Sequence, residues 1–279
     1  MREGKYCLVD GIRTHYLEEG LAHKGKGPSV LLLHSAEYGA AAEFTWEFNI
    51  PALAERHHVL APDHLGFGLT DKVFDFNGQF DRRITHIRRF LEVMDAGPVH
   101  VVGSSMSGGM SLTVAARSEP DWPLASLVVC SGGGDAPDNE ARATLNTYDG
   151  TREHMRRIVE VMFVDPEWPN DNGYVDRRWE MARLPGAWEA TSAARFKAPF
   201  REPAGRRERD SIDYRAIRVP TLVMAGRLDP LRKPGYTDEF VPLIPKAALH
   251  VFEDAAHMGN IERAGEFNAR VLQFLGGEA

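Results

Sequence analysis

Cysteine is nearly absent from this 279-residue chain: Cys7 and Cys130 are the only two, far apart and without metal-ligand spacing. A disulfide framework and a cysteine-based zinc site are thereby excluded, and both thiols are expected to be reduced. Cys130 closes the apolar run Leu127-Val128-Val129-Cys130, where a buried thiol is the plain reading. No apolar stretch approaches the length that spans a bilayer, and Met1-Arg2-Glu3-Gly4-Lys5 carries no apolar segment of a secretory signal, so a cytoplasmic protein is expected. A basic excess is missing as well. With 33 Lys and Arg against 40 Asp and Glu, the net charge of -7 leaves no footprint for nucleic acid or an anionic membrane. Internal repeats and low-complexity tracts are also lacking. Hydrophobic content of 43% and charged content of 26% are those of an ordinary globular protein with a substantial core.

Short apolar runs alternate with helical patterns along the chain. Asp10-Gly11, flanked by Tyr6 to Val9 and Arg13 to Tyr16, signals a β-hairpin. Strand-like runs follow at Val30 to Leu33, Val59 to Ala61, Val99 to Val102, Leu127 to Cys130, Thr221 to Ala225 and Leu249 to Phe252. Helical periodicity marks Phe80 to Met94, Gly108 to Ser118 and Glu262 to Leu275. In the last of these Phe267, Val271, Phe274 and Leu275 form one apolar stripe, and Gly276 supplies the stop. Such alternation predicts an α/β fold with a mostly parallel sheet flanked by helices.

Between Gly134 and about Asp210 the strand-like runs vanish, and Trp168, Trp179 and Trp188 all fall inside. An insertion this long between two strands predicts a helical cap, either a lid over an active site or a purely structural subdomain. The expected organisation is a core over residues 1–134, a helical cap over 135–210 and the second part of the core over 211–279.

The stretch Val99-His100-Val101-Val102-Gly103-Ser104-Ser105-Met106-Ser107-Gly108-Gly109 carries the chemistry. A β-branched run ends at Gly103, small residues allow a sharp bend, and Ser105 sits at its apex, ahead of a helix. The frame is Gly-x-Ser-x-Gly with Ser107 in place of the second glycine. Ser104 and Ser107 are weaker candidates because the apex belongs to Ser105. A serine hydroxyl needs a base, and the base needs a third group to fix its tautomer. Asp229 follows the run Thr221 to Ala225, and His257 follows Leu249 to Phe252. The order Ser105, Asp229, His257, each beyond the carboxyl end of a parallel strand, brings the three to one crevice. The amide of Met106 is one oxyanion donor, and Ala36, in the loop His34-Ser35-Ala36-Glu37-Tyr38-Gly39, is chosen as the other.

Other polar residues read as structural. His34 and His100 adjoin or lie within strands and suit hydrogen-bonded core histidines, and adjacent His57 and His58 suit no zinc site. Asp63 and Asp71 bracket a glycine-containing turn. No metal and no cofactor is called for.

The elbow, the loop with Leu65-Gly66-Phe67-Gly68, the segment Trp46-Glu47-Phe48-Asn49-Ile50-Pro51, the motif Arg178-Trp179-Glu180 and the ending from His250-Val251-Phe252 to Glu266-Phe267-Asn268 resemble the α/β-hydrolase superfamily. Within it, Arg178-Trp179-Glu180 and Asn49 are similar to the meta-cleavage product hydrolases, which split a carbon–carbon bond in ring-opened aromatic compounds. The resemblance covers nearly the whole chain. It implies a cofactor-independent serine hydrolase acting on a 2-hydroxy-6-oxo-dienoate, with the cap arginine Arg178 at the carboxylate-bearing end, Asn49 orienting the site, and Asn49 and Trp179 both in contact with the substrate. Ser35 and Ala36 stand where the family has glycines, Ser104 where it has asparagine, and Met258 where an aromatic residue follows the histidine. The resemblance therefore places Ser35, Ser104 and Met258 around the substrate. An esterase, lactonase or amidase with the same triad is the alternative, and a non-catalytic ligand receptor on the same scaffold is a second. The expected partner is a small-molecule substrate, with oligomeric state left open and a homo-oligomer among the options.

Overall fold

A computed structural model describes residues 2–76, 79–193 and 212–277. Strands β1 (Lys5–Val9) and β2 (Ile12–Glu19) form the antiparallel hairpin, with Val9 opposite Ile12 across Asp10-Gly11. They continue into β3 (Ser29–Leu33), β4 (Val59–Pro62), β5 (Val99–Ser104), β6 (Leu124–Cys130), β7 (Thr221–Gly226) and β8 (Ala247–Phe252). Among the described residues the sheet runs β1-β2-β4-β3-β5-β6-β7-β8, parallel from β4 onward. β4 and β5 flank β3 on opposite sides, so the connections diverge there and open a crevice at the strand carboxyl ends.

The runs of β3 to β7 are continuously apolar because helices cover both faces. Alternation along β3 sends Leu31 and Leu33 into one cluster with Ile87, Phe90 and Met110, and Val30 and Leu32 into another with Trp46, Phe267 and Val271. Helices α1 (Ala42–Trp46) and α2 (Ile50–Ala54) precede β4; α3 (Gln79–Val93) and α4 (Met106–Ala116) flank β5. Leu249 is the exception. It is exposed, because β8 is an edge strand.

The segment after β6 folds as α5 (Glu140–Asn146), α6 (Arg152–Glu160), α7 (Glu167–Asn170), α8 (Asn172–Ala182) and α9 (Ala187–Ser192), with no strand among its described residues. The expected boundary at 210–211 lies outside the described residues. The apolar interior of these helices, with Met155, Ile158 and Tyr174, closes on Tyr38, Leu231, Met258 and Ile261 from the loops of the sheet. The segment thus sits over the strand carboxyl ends. After β7 come α10 (Tyr236–Phe240), α11 (Gly259–Glu262) and α12 (Ala264–Leu275). Phe267 and Val271 of α12 are fully buried, as the stripe predicts, with Phe274 and Leu275 packed beside them. The helix stops at Leu275 with Gly276 as its C-cap, as expected; Gly276 itself stays in the right-handed region, and the turn to positive φ comes one residue later, at Gly277.

Candidate active site

Ser105 lies between β5 and α4 with φ 54° and ψ -112°, a strained conformation for a residue with a Cβ. Its amide donates to Cys130 O at 2.7 Å, which pins the turn to the neighbouring strand. The bend is tight enough that a Cβ on Gly103 would meet Ser107 O at 2.7 Å. Gly103 is therefore required by space, whereas the second glycine of the motif is not.

Ser105 Oγ donates to His257 Nε2 at 2.8 Å, and His257 Nδ1 donates to Asp229 Oδ2 at 2.7 Å. Asp229 comes from the loop after β7 and His257 from the loop after β8, so strand ends carry all three groups to one place. Asp229 also accepts from the Leu231 amide at 2.8 Å. Burial alone would push its carboxyl up, but the charge and hydrogen bond of His257 and the Leu231 amide hold it below the ordinary value. The carboxylate is thus ionised and fixes the imidazole with Nε2 facing the serine. The helical segment helps: Met162 O accepts from the amides of His257 and Met258 at 3.1 and 3.3 Å.

Met106 begins α4, where helix amides have no intrahelical acceptor, and Ala36 lies in the loop after β3. A network missed in the sequence connects that loop to the elbow. Ser107 Oγ donates to His34 O and accepts from His64 Nε2 at 2.8 Å, while the His64 amide donates to His34 Nε2 at 2.9 Å. Burial holds both imidazoles below their ordinary pKa, hence neutral. The serine in place of the second glycine is thus a tie between the nucleophile helix and the loop of Ala36.

Arg178, on α8, is fully buried and no solvated surface charge. Its Nη2 donates to Glu37 Oε1 and its Nη1 to Tyr174 Oη at 3.2 Å. Glu37 directly follows Ala36. The loop reaches α8 because Gly39, at φ 76°, leaves room: a Cβ there would meet Arg178 O at 2.3 Å. Burial favours the neutral form of each partner, but the opposite charges and their hydrogen bond prevail, lowering the Glu37 carboxyl and raising the Arg178 guanidinium. Arg178 Nε and Ser104 Oγ are buried without hydrogen-bond partners among the described residues.

Two expected substrate contacts need correction. Asn49 is completely buried, donating to Asn260 O at 3.0 Å and Asn268 Oδ1 at 2.8 Å. Its amide is consumed in holding the segment after His257, so it can orient the site without touching a ligand. Trp179 is one residue past Arg178, about 100° around the helix, and cannot share its direction. Its indole donates to Gly150 O at 3.0 Å and lies under Arg183, within the helical segment. Ser35 and Met258 are buried, Ser35 near Thr45 Oγ1 at 3.5 Å and Met258 in the apolar layer beneath the helical segment.

The remaining polar residues are structural. Asp63 accepts from the amides of Ala42 and Leu69 at 2.7 and 2.9 Å and pairs with His15, and Asp71 accepts from the Arg13 amide at 2.9 Å. His58 bridges Ser29 and Glu18, while His100 bonds Ser126.

The profile of the family described as alpha/beta hydrolase fold matches residues 28–264. The 2-hydroxy-6-oxo-6-(2'-aminophenyl)hexa-2,4-dienoic acid hydrolase of Metapseudomonas resinovorans is 31% identical over 97% of this chain and 90% of its own. The 2-hydroxymuconate semialdehyde hydrolase of Pseudomonas sp. (strain CF600) is 29% identical over 98% of this chain and 93% of its own. Among solved structures, a meta-cleavage product hydrolase from Pseudomonas fluorescens IP01 superposes with a TM-score of 0.84 at 27% identity, covering 99% of this chain and 98% of that one.

Proposed function

This chain belongs to the alpha/beta hydrolase fold family, and we propose that it is a serine hydrolase cleaving the carbon–carbon bond of a 2-hydroxy-6-oxo-dienoate, a ring-opened product of aromatic breakdown. The observation that carries the hydrolase chemistry is the Ser105–His257–Asp229 relay at 2.8 and 2.7 Å. Likeness to dienoate hydrolases along nearly the whole chain supports the substrate class.

The dienol is first ketonised: the 2-hydroxyl proton leaves with help from His257, and carbon 5 takes up a proton. The carbonyl formed at carbon 2, conjugated with the carbon 3–4 double bond, is then an electron sink for carbon 5. Ser105 Oγ attacks the 6-oxo carbon as His257 Nε2 takes its proton, and the amides of Met106 and Ala36 receive the oxyanion. Collapse of this adduct breaks the bond between carbons 5 and 6. Its electron pair moves through the sink to the oxygen on carbon 2, which takes the proton from His257; a 2-hydroxypentadienoate-type acid leaves, an acyl group stays on Ser105, and His257 is neutral again. Water deprotonated by His257 then releases the second acid.

In this reading the described residues 135–193 of the expected cap cover the crevice, residues 194–210 lying outside the described ones, and the substrate's acid end lies against the cap's underside. Arg178 Nε and Ser104 Oγ are the donors left for it, and Ser35 and Met258 help shape the site. The enzyme works in the cytoplasm with a small molecule as its partner. No helix among the described residues is long and apolar enough to cross a membrane.

A panel of coloured dienoates and simple 4-nitrophenyl esters tests the proposal. Loss of dienoate colour with kcat/KM above that of every ester is expected, and ester turnover with no dienoate loss would overturn it. The second reading, an esterase, lactonase or amidase, is favoured by one observation: Arg178 already has a carboxylate on it.

A further inference from the structure

Glu37 is out of place by composition. It sits among small, aromatic and glycine residues in the loop that carries Ala36, and its side chain is 4% exposed. Its partner is 141 positions later in the chain, on a different layer of the fold, with a side chain that is 0% exposed. A buried ion pair is weak grounds for stability, since desolvating two charges offsets most of their attraction. Its electrical consequence is definite. The guanidinium is always charged, so with an ionised Glu37 the underside of the cap carries no net charge at Arg178. What it offers a ligand there is hydrogen bonding from Arg178 Nε, which is buried and unpartnered among the described residues.

We propose that Glu37 is a specificity-determining residue: its carboxylate holds the place on Arg178 that a substrate's acid group would take, and so makes the pocket nearly indifferent to charge at that end. Acid-ended substrates and their uncharged counterparts, such as a dienoate and its methyl ester, are then bound with similar strength. The inference rests on the reading that Arg178 faces the far end of the substrate. It does not depend on whether the bond broken is carbon–carbon or ester.

The test compares methyl 4-(butyryloxy)benzoate with 4-(butyryloxy)benzoate, whose carboxylate lies on the leaving group, the side of the scissile bond that carries the dienoate's acid, and which needs only the triad for turnover. The readout is the ratio of kcat/KM for the acidic ester to that for the neutral one. Glu37→Gln uncovers the guanidinium and is expected to raise this ratio at least about tenfold, through KM. A ratio that stays within about threefold of the unsubstituted enzyme, or falls, overturns the inference. The double variant Glu37→Gln with Arg178→Gln holds no unpaired buried charge and keeps the test open should the single variant not fold. Its ratio is expected within about threefold of the unsubstituted enzyme, because a neutral pair replaces a neutral pair; a tenfold drop would show Arg178 acting as a free acid receptor. Calorimetric binding of both esters in a Ser105→Ala background reports the same ratio without turnover. A switch in binding there, without dienoate turnover in the parent enzyme, sinks the carbon–carbon reading and leaves this one standing.

Discussion

Two of the buried carboxylates in this molecule, Asp229 on His257 and Glu37 on Arg178, invite comparison, because the same electrostatics serves different ends. Histidine can gain and lose a proton near neutrality, so a carboxylate on one nitrogen prepares the other to take the serine proton. Arginine cannot, so its carboxylate only cancels a charge. A buried ion pair is therefore classified by what the partner's remaining nitrogens can reach, and its burial alone says nothing of its role.

The sharpest way to break the comparison is to remove the proton acceptor. Ser105→Ala and His257→Ala are each expected to lower hydrolysis by roughly 10⁴-fold or more with an unaltered thermal midpoint, and Asp229→Asn somewhat less. Ser105→Ala should still bind a dienoate and shift its absorption, because ketonisation does not use the nucleophile. Near-normal turnover by Ser105→Ala would remove the first half of the comparison.

On the other side, Arg178→Gln strands Glu37 as a buried carboxylate. A loss of about 3 to 5 kcal/mol in stability is expected. For acid-ended substrates kcat/KM should fall by about 30-fold to several-thousand-fold, the equivalent of roughly 2 to 5 kcal/mol. Neutral esters should lose much less. Denaturant titration and the two ester types measure both effects, and equal small losses on both esters would return Arg178 to a scaffolding part.

Between the two pairs runs the Ser107 tie. Ser107→Ala leaves His34 O and His64 without their shared hydroxyl and is expected to cost about 1 to 3 kcal/mol. Since the tie positions the loop of Ala36, kcat should fall with little change in KM. A stability loss at unchanged kcat would confine Ser107 to the fold.

The smallest effect is on acid tolerance. Glu37 and Asp229 both have carboxyls lowered in the folded protein, so their contribution is fully present above the unfolded value of about 4 and is lost as pH falls through the lower folded values. The double variant Glu37→Gln with Arg178→Gln should show a shallower fall in thermal midpoint below about pH 4 than the parent. Identical slopes would mean that Glu37 contributes nothing to acid unfolding.

Much of this was legible in advance. The hairpin at Asp10-Gly11, the strand runs and the order Ser105, Asp229, His257 are local patterns, and the parallel topology converts strand ends into a common site. Asn49 and Trp179 were misplaced because each belongs to a motif whose members share a neighbourhood in sequence and not a direction in space. Trp179 turned with the helix toward Gly150, and the Asn49 amide was taken by residues 211 and 219 positions away.

By itself the amino-acid sequence determined the sheet, the elbow and the meeting of Ser105, Asp229 and His257, because periodicity, turn chemistry and strand-end placement are short-range properties. Only the tertiary structure decided how the charge of Arg178 is balanced. A glutamate at 37 and an arginine at 178 are each ordinary in the chain; they become a neutral pair only when folding removes water from both and leaves each the nearest compensation for the other's charge.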